Sequence, residues 1–163
     1  MTQLNIVAIV EVRMTSSRLP GKHFLQVNDK PILQHLVERL KTVENISRVV
    51  LATTENSTDD VIVELASKLG VDSYRGSELD VMGRVLGAGE KFNADVICEV
   101  TGDCSIIDVA LVEQLIETYL LNSVDYVSDG QSGLPVGMTS QVFSLNALRR
   151  SYAMTQDLLD LEH

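Results

Sequence analysis

The apolar run from Leu4 to Val10, interrupted only by Asn5, constrains the fold of this chain more than any other stretch. Rich in Val and Ile and bounded by polar residues, it reads as a strand buried on both faces of a parallel sheet. Comparable runs recur at Arg48–Thr53 and Asp95–Val100. Segments of helical period lie between them. After Pro31 at a favourable first helical position, Ile32, Leu33, Leu36, Val37 and Leu40 follow the spacing of an amphipathic helix. Asn56–Asp60 supplies N-cap residues and first-turn acids for a helix reaching Leu69-Gly70, and Val71–Arg75 reads as a short strand. Ser77-Glu78-Leu79-Asp80 has the pattern of a capping box opening a helix to about Phe92. A further helix runs from Ile106-Ile107-Asp108 to Leu121, with Leu111, Leu115, Ile116 and Leu120 toward the core. Strands at Val124–Ser128 and Gly137–Phe143 flank a loop at 129–135, and a last helix starts at Leu145. This alternation predicts an α/β fold, a mostly parallel sheet with helices on both faces.

In open α/β sheets ligands bind in the crevice beyond the carboxyl ends of the strands. The segment that enters this crevice after the first strand is Glu11-Val-Arg-Met-Thr-Ser-Ser-Arg-Leu-Pro-Gly-Lys22. Arg13, Arg18 and Lys22 bring cations, Ser16 and Ser17 add hydroxyl donors, and backbone N–H groups of an irregular loop can form an anion-binding concavity. Pro20-Gly21 turns the chain so that Lys22 can be aimed back across the loop. The loop reads as a phosphate site; a solvated surface loop is the other reading. It is neither a Walker loop nor a Gly-x-Gly-x-x-Gly turn. Asp103, just after the run ending at Val100 and next to Gly102, stands where a Mg²⁺ ligand would meet phosphates held by that loop. A lone acid at a strand end is also a common turn residue. His35, among apolar positions of its helix, reads as a structural or solvated histidine.

The 163 residues, 45% hydrophobic, suffice for one folded domain, taken here as 1–160. A net charge of −10 argues against general nucleic-acid or anionic-membrane binding, so an anionic substrate needs a local basic site. Cys98 and Cys104 are expected to be free thiols, and no zinc pattern accompanies them. With no signal-peptide pattern and no run of membrane-span length, a soluble cytoplasmic protein is expected.

The stretch Arg13-Met14-Thr15-Ser16-Ser17-Arg18-Leu19-Pro20-Gly21-Lys22 resembles the N-terminal motif of cytidylyltransferases that activate acidic sugars, above all the spore coat polysaccharide biosynthesis protein F group. The resemblance continues, in order, through Ala52–Asn56, Arg75–Arg84 and Thr101–Cys104, over roughly the first 130 residues. It implies a three-layer Rossmann-like nucleotidyltransferase fold, of the nucleotide-diphospho-sugar transferase type. It also implies transfer of CMP from CTP to a sugar or sugar acid for surface polysaccharide biosynthesis, with release of pyrophosphate. By the same resemblance Arg13, Lys22 and Asp103 are catalytic, and Asp103 is the Mg²⁺ ligand. Arg13, Ser16, Arg18, Lys22, Thr53, Thr54, Gly76, Ser77 and Thr101 bind nucleotide. Related enzymes commonly dimerise, which leaves a homodimer open.

Family members usually continue past this point. That suggests a truncated chain or a short paralogue, with 161–163 either a tag scar or native continuation. The chain also departs from the pattern where related sequences tend to read Pro-Asp-Gly-Leu-Asp-Val-Glu-Val-Phe. Val136, Thr139 and Gln141 replace three carboxylates there, and Glu11 stands where the family often has Gln. A metal site reduced to Asp103 would discharge the α-phosphate poorly. The alternative reading is therefore a weakened paralogue that binds nucleotide or serves as an interaction subunit.

Overall fold

A computed structural model describes residues 4–16, 18–129, 133, 135 and 137–162. Ser17, Val136 and most of the loop expected at 129–135 lie outside the described residues. The Leu4–Val10 run forms strand β1 (Ile6–Glu11), its first five residues fully or nearly buried. The chain then forms a short hairpin, β2 (Gln26–Val27) and β3 (Lys30–Pro31), whose turn residues Asn28 and Asp29 take φ of 49° and 61°. Helix α1 (Ile32–Leu40) follows, with Pro31 as the flanking residue ahead of the helix instead of its first position. Next come β4 (Arg48–Thr54), α2 (Asp60–Leu69), β5 (Asp72–Gly76), α3 (Val81–Lys91), β6 (Val96–Thr101) and α4 (Val109–Leu121). The chain ends in β7 (Tyr126–Ser128), β8 (Gln141–Ser144), α5 (Leu145–Met154) and α6 (Leu158–Glu162).

The main sheet has the order β5-β4-β1-β6-β8-β7. The first four strands are parallel, with Val10 paired to Leu51 on one side and to Val100 on the other. The strand β8 runs antiparallel to both neighbours. The strands β7 and β8 pair directly as antiparallel neighbours, Val127 opposite Val142, so the chain reverses direction between them. Period-2 alternation splits the core. Ile6, Ala8 and Val10 of β1 pack with Leu33, Leu36, Ile62 and Leu115 of α1, α2 and α4. Val7 and Ile9 point to the opposite face, with Ile97, Phe143 and the α3 residues Val85 and Ala88. Helix α4 buries Val112, Leu115 and Ile116; Leu111 is only half-buried and Leu120 is exposed, which rotates the expected core stripe by one position.

Two helix starts differ from the sequence reading. At α3 the cap is Asp80, whose Oδ1 accepts from Gly83 N–H at 2.7 Å, while Ser77 Oγ accepts from the N–H groups of Leu79 and Asp80 one turn earlier. The short carboxylate reaches the amide of the third helical residue, and the serine closes the preceding turn. Helix α2 is entered through a 3₁₀ turn, Ser57–Asp59, and the Asp59 side chain turns inward instead of capping. Its end is conventional. Gly70 takes φ 64° and its N–H satisfies terminal carbonyls of the helix. A methyl group at Gly70 would touch nothing within 4 Å, so only backbone strain opposes it. Gly70→Ala should cost about 1 kcal/mol, a fall in Tm of about 3 °C measured by thermal unfolding.

Candidate nucleotide site

At the carboxyl edge of the sheet the loop after β1 leaves beside the end of β6. Val12 N–H donates to Ala52 O and Gly21 N–H to Met14 O, which closes the loop on itself. Gly21 takes φ 70°, the left-handed conformation that suits glycine, and delivers Lys22 into a 3₁₀ turn, Lys22–Phe24. Lys22 Nζ then lies 2.5 Å from Asp103 Oδ2, and His23 Nε2 lies 3.1 Å from Asp103 Oδ1. Ser16, Arg18, Lys22, His23, Gly102 and Asp103 line one depression of about 360 Å³. Gly102 is required for this approach, because a Cβ there would stand 3.0 Å from His23 Nε2 and 3.1 Å from Val12.

Burial opposes the charge of Asp103, but Lys22 and His23 together hold its carboxyl below the usual range. His23, buried at 6% exposure, is pushed down by desolvation and by Lys22 against the pull of Asp103. Sequence reasoning passed over His23. Its position next to Lys22 in a loop of predicted ligand contacts was the available signal.

Other expected residues sit apart from this depression. Arg13 Nη1 is 3.4 Å from Glu78 Oε1, and Glu78 also accepts from Thr15 Oγ1 and, at 2.7 Å, from Asn56 Nδ2. The hydrogen bonds of Thr15 and Asn56 lower the Glu78 carboxyl, with Arg13 adding to them. Thr53 and Thr54 are fully buried, and both hydroxyls donate to Asp59 Oδ2, at 2.8 and 2.6 Å. Asp59 Oδ1 accepts from Met14 N–H at 2.9 Å, so this carboxylate ties the end of β4 to the basic loop. Burial works against its charge, and the bonds from Thr54, Met14 and Thr53 outweigh it and lower its pKa. Gly76 packs against Arg84, where a Cβ would meet Cγ at 3.1 Å, and Arg84 Nη1 donates to Ser77 O. Thr101 Oγ1 lies 3.3 Å from Cys104 Sγ. Both cysteines are free and buried, and burial pushes the Cys98 thiol up to about 12.

A larger cleft of about 650 Å³ adjoins the depression, with Thr101 lining the cleft and Gly102-Asp103 lining the depression. Its walls include Glu11, Glu99, Gln141 and Phe143 from the sheet and Met82 and Val85 from α3. Among the described residues no group of three or more His, Cys, Asp or Glu side chains could hold a metal ion. Mg²⁺ usually binds through one or two carboxylates plus substrate phosphates and waters, and half-exposed Asp103 fits that role for an ion arriving with a polyphosphate. Among the described residues no helix is long and apolar enough to cross a membrane.

This sheet order, with a basic loop after the first strand and an acid after the central one, is the Rossmann-like fold of nucleotidyltransferases. Within that class the chain belongs to the cytidylyltransferase family, which residues 7–162 match. It is 36% identical over 160 residues to an uncharacterised protein of Methanocaldococcus jannaschii, covering 98% of this chain and 65% of the relative. To the spore coat polysaccharide biosynthesis protein SpsF of Bacillus subtilis it is 30% identical over 148 residues, 88% of this chain and 61% of the relative. The chain thus spans less than two thirds of the length of these curated relatives. A solved cytidylyltransferase from Leptospira borgpetersenii superposes with a TM-score of 0.94 at 33% identity, over 98% of this chain and 68% of that one.

Proposed function

We propose that the chain binds CTP–Mg²⁺ at the depression and transfers CMP to a hydroxyl of a sugar or sugar acid, for surface polysaccharide biosynthesis. The observation that carries this reading is the convergence of Ser16, Arg18 and Lys22 with Gly102 and Asp103 on one depression. Arg18, Lys22 and Ser16 would hold the phosphates, with Arg13 approaching from the Glu78 side, and Asp103 would hold the ion. Gly76, Ser77 and Thr101 would flank the nucleoside, while Thr53 and Thr54 act on it through Asp59. The acceptor oxygen bonds to the α-phosphorus as the bond to the β-phosphate oxygen breaks. Pyrophosphate leaves with the bonding electrons, and the hydroxyl proton is released. The cation supplies charge neutralisation between attacking and leaving oxygens. Positioning and the fixed charges of the loop supply the rest.

A second reading, a weakened paralogue that binds CTP without efficient turnover, is favoured by Gln141. This uncharged residue pairs across the sheet with Glu99, its Oε1 accepting from Tyr126 at 2.7 Å. Thermal unfolding with CTP plus Mg²⁺, against ATP and GTP, tests the site. At about a hundred times Kd, CTP should raise Tm by about 5–10 °C. ATP and GTP should raise it less, and Asp103→Asn should diminish the CTP shift. No shift with any nucleotide would count against a nucleotide site. A CTP shift without pyrophosphate release across a sugar-acid panel would favour the second reading.

A further inference from the structure

Asp103 is held by two neighbours that differ in kind. Lys22 and His23 follow each other in the turn Lys22–Phe24 and address the two oxygens of one carboxylate, Nζ at 2.5 Å from Oδ2 and Nε2 at 3.1 Å from Oδ1. An ionised carboxylate only accepts, so Nε2 carries the proton of its bond. Lys22 ends a flexible, partly exposed stem and, on the reading above, turns to the phosphates when CTP arrives, which frees Oδ2 for the cation. His23 cannot follow it. Its ring is buried, and its turn is closed by Phe24 N–H on Gly21 O at 2.9 Å and by Leu25 N–H on Lys22 O at 3.1 Å. The far side of the contact is equally fixed. Gly102 N–H donates to Glu11 O and Cys104 N–H to Thr101 O, both at 2.9 Å, which pins the Asp103 backbone beside the end of β1.

The surroundings of the ring argue against a mere space filler. Nδ1 is buried with no hydrogen-bond partner of good geometry among the described residues. Leu or Phe would fill the same space without burying a bare polar nitrogen, whose desolvation opposes folding. What histidine adds is the bond to Asp103. A carboxylate with one oxygen tied down by a neighbouring donor presents the other in a fixed direction, as the outer partners of metal ligands do. The identity of the ion decides how much that matters. Mg²⁺ is small and demands near-ideal octahedral geometry, whereas Ca²⁺ accepts carboxylates through one oxygen or two in flexible shells.

We propose that His23 is a positioning residue that ties down Asp103 Oδ1, so that the site offers the ion Oδ2 alone and favours Mg²⁺ over a larger cation. This assignment rests on Asp103 holding the ion of the proposed CTP complex. The test measures CTP binding to the full chain by calorimetry, in excess Mg²⁺ and in excess Ca²⁺. His23→Leu should raise Kd in Mg²⁺ by about 10–100-fold and Kd in Ca²⁺ much less. His23→Gln, whose amide N–H reaches about as far as Nε2, should recover most of the Mg²⁺ affinity. A Kd in Mg²⁺ within about twofold of wild type in His23→Leu, far short of the loss expected for an outer partner, would overturn the proposal. So would equal losses in Mg²⁺ and Ca²⁺, or a Gln variant no better than Leu, since either result describes a ring that only supports the fold. If His23→Leu does not fold, His23→Gln against His23→Asn decides. The shorter amide ends near the level of Nδ1, so Asn should show the Mg²⁺ loss and Gln should not. Absence of CTP binding by the wild type with either ion would strike the nucleotide reading itself, and this assignment with it. Binding by the wild type that the variants leave unchanged would strike only the role of His23.

Discussion

Replacement of Asp59 by Ala should destabilise the protein by about 3–5 kcal/mol, a fall in Tm of about 10 °C or more. The side chain is fully buried and its carboxylate accepts from Thr53 Oγ1, Thr54 Oγ1, Thr54 N–H and Met14 N–H, at 2.6 to 3.1 Å. Alanine would leave all four donors without partners inside the protein. Asn should cost less, since one oxygen remains, but its NH₂ would face donors. Because the folded-state pKa of Asp59 is depressed, its contribution is fully present above the unfolded value of about 3.9 and is lost as pH falls through the lower folded value. The stability gap between wild type and Asp59→Asn should therefore narrow in acid. Urea unfolding at neutral pH and between pH 4 and pH 2 reads both effects. A loss under about 1 kcal/mol for Asp59→Ala would show that water replaces the carboxylate at little cost.

Asp59 also marks where sequence reading stops. Asn56–Asp60 looks like an ordinary helix start, and local statistics cannot separate an aspartate that caps from one that turns inward. What decides it is tertiary: β1 and β4 are adjacent, so the Thr53-Thr54 end and the Met14 amide converge on one carboxylate. The strands were legible because burial on both faces leaves runs with no polar interruption, as at Val7–Val10 and Val49–Ala52. The meeting of Lys22 with Asp103 was legible for a related reason, since parallel neighbours bring their carboxyl ends to the same edge. Glu99 was not. A single acid in Val96–Thr101 looks like an interruption of a buried strand, and only the placement of α3, α5 and the antiparallel β8 opens a cleft in front of it. The reversal at β8 and the short α6 likewise depend on how the chain returns, which periodicity does not encode.

On the proposed assignment, Lys22→Ala should lower the rate of CTP-dependent pyrophosphate release by about 10²–10³-fold and abolish most of the CTP-induced Tm shift. Its effect on stability should be small, within about 1 kcal/mol, because the Lys22–Asp103 pair is half-exposed and screened. Lys22→Arg should recover only part of the activity, since a planar guanidinium cannot present the compact charge that reaches Asp103 Oδ2 from the Gly21 turn. The pair can be dissected further. If Lys22 served only to neutralise Asp103, removing both charges in Lys22→Ala/Asp103→Asn would restore CTP binding lost in either single variant. If each holds its own part of the CTP–Mg²⁺ complex, the lysine the phosphates and the aspartate the ion, the double variant should bind CTP no better than the weaker single one. The coupling energy from this cycle thus separates a structural ion pair from two ligand-binding groups that face each other before the ligand arrives.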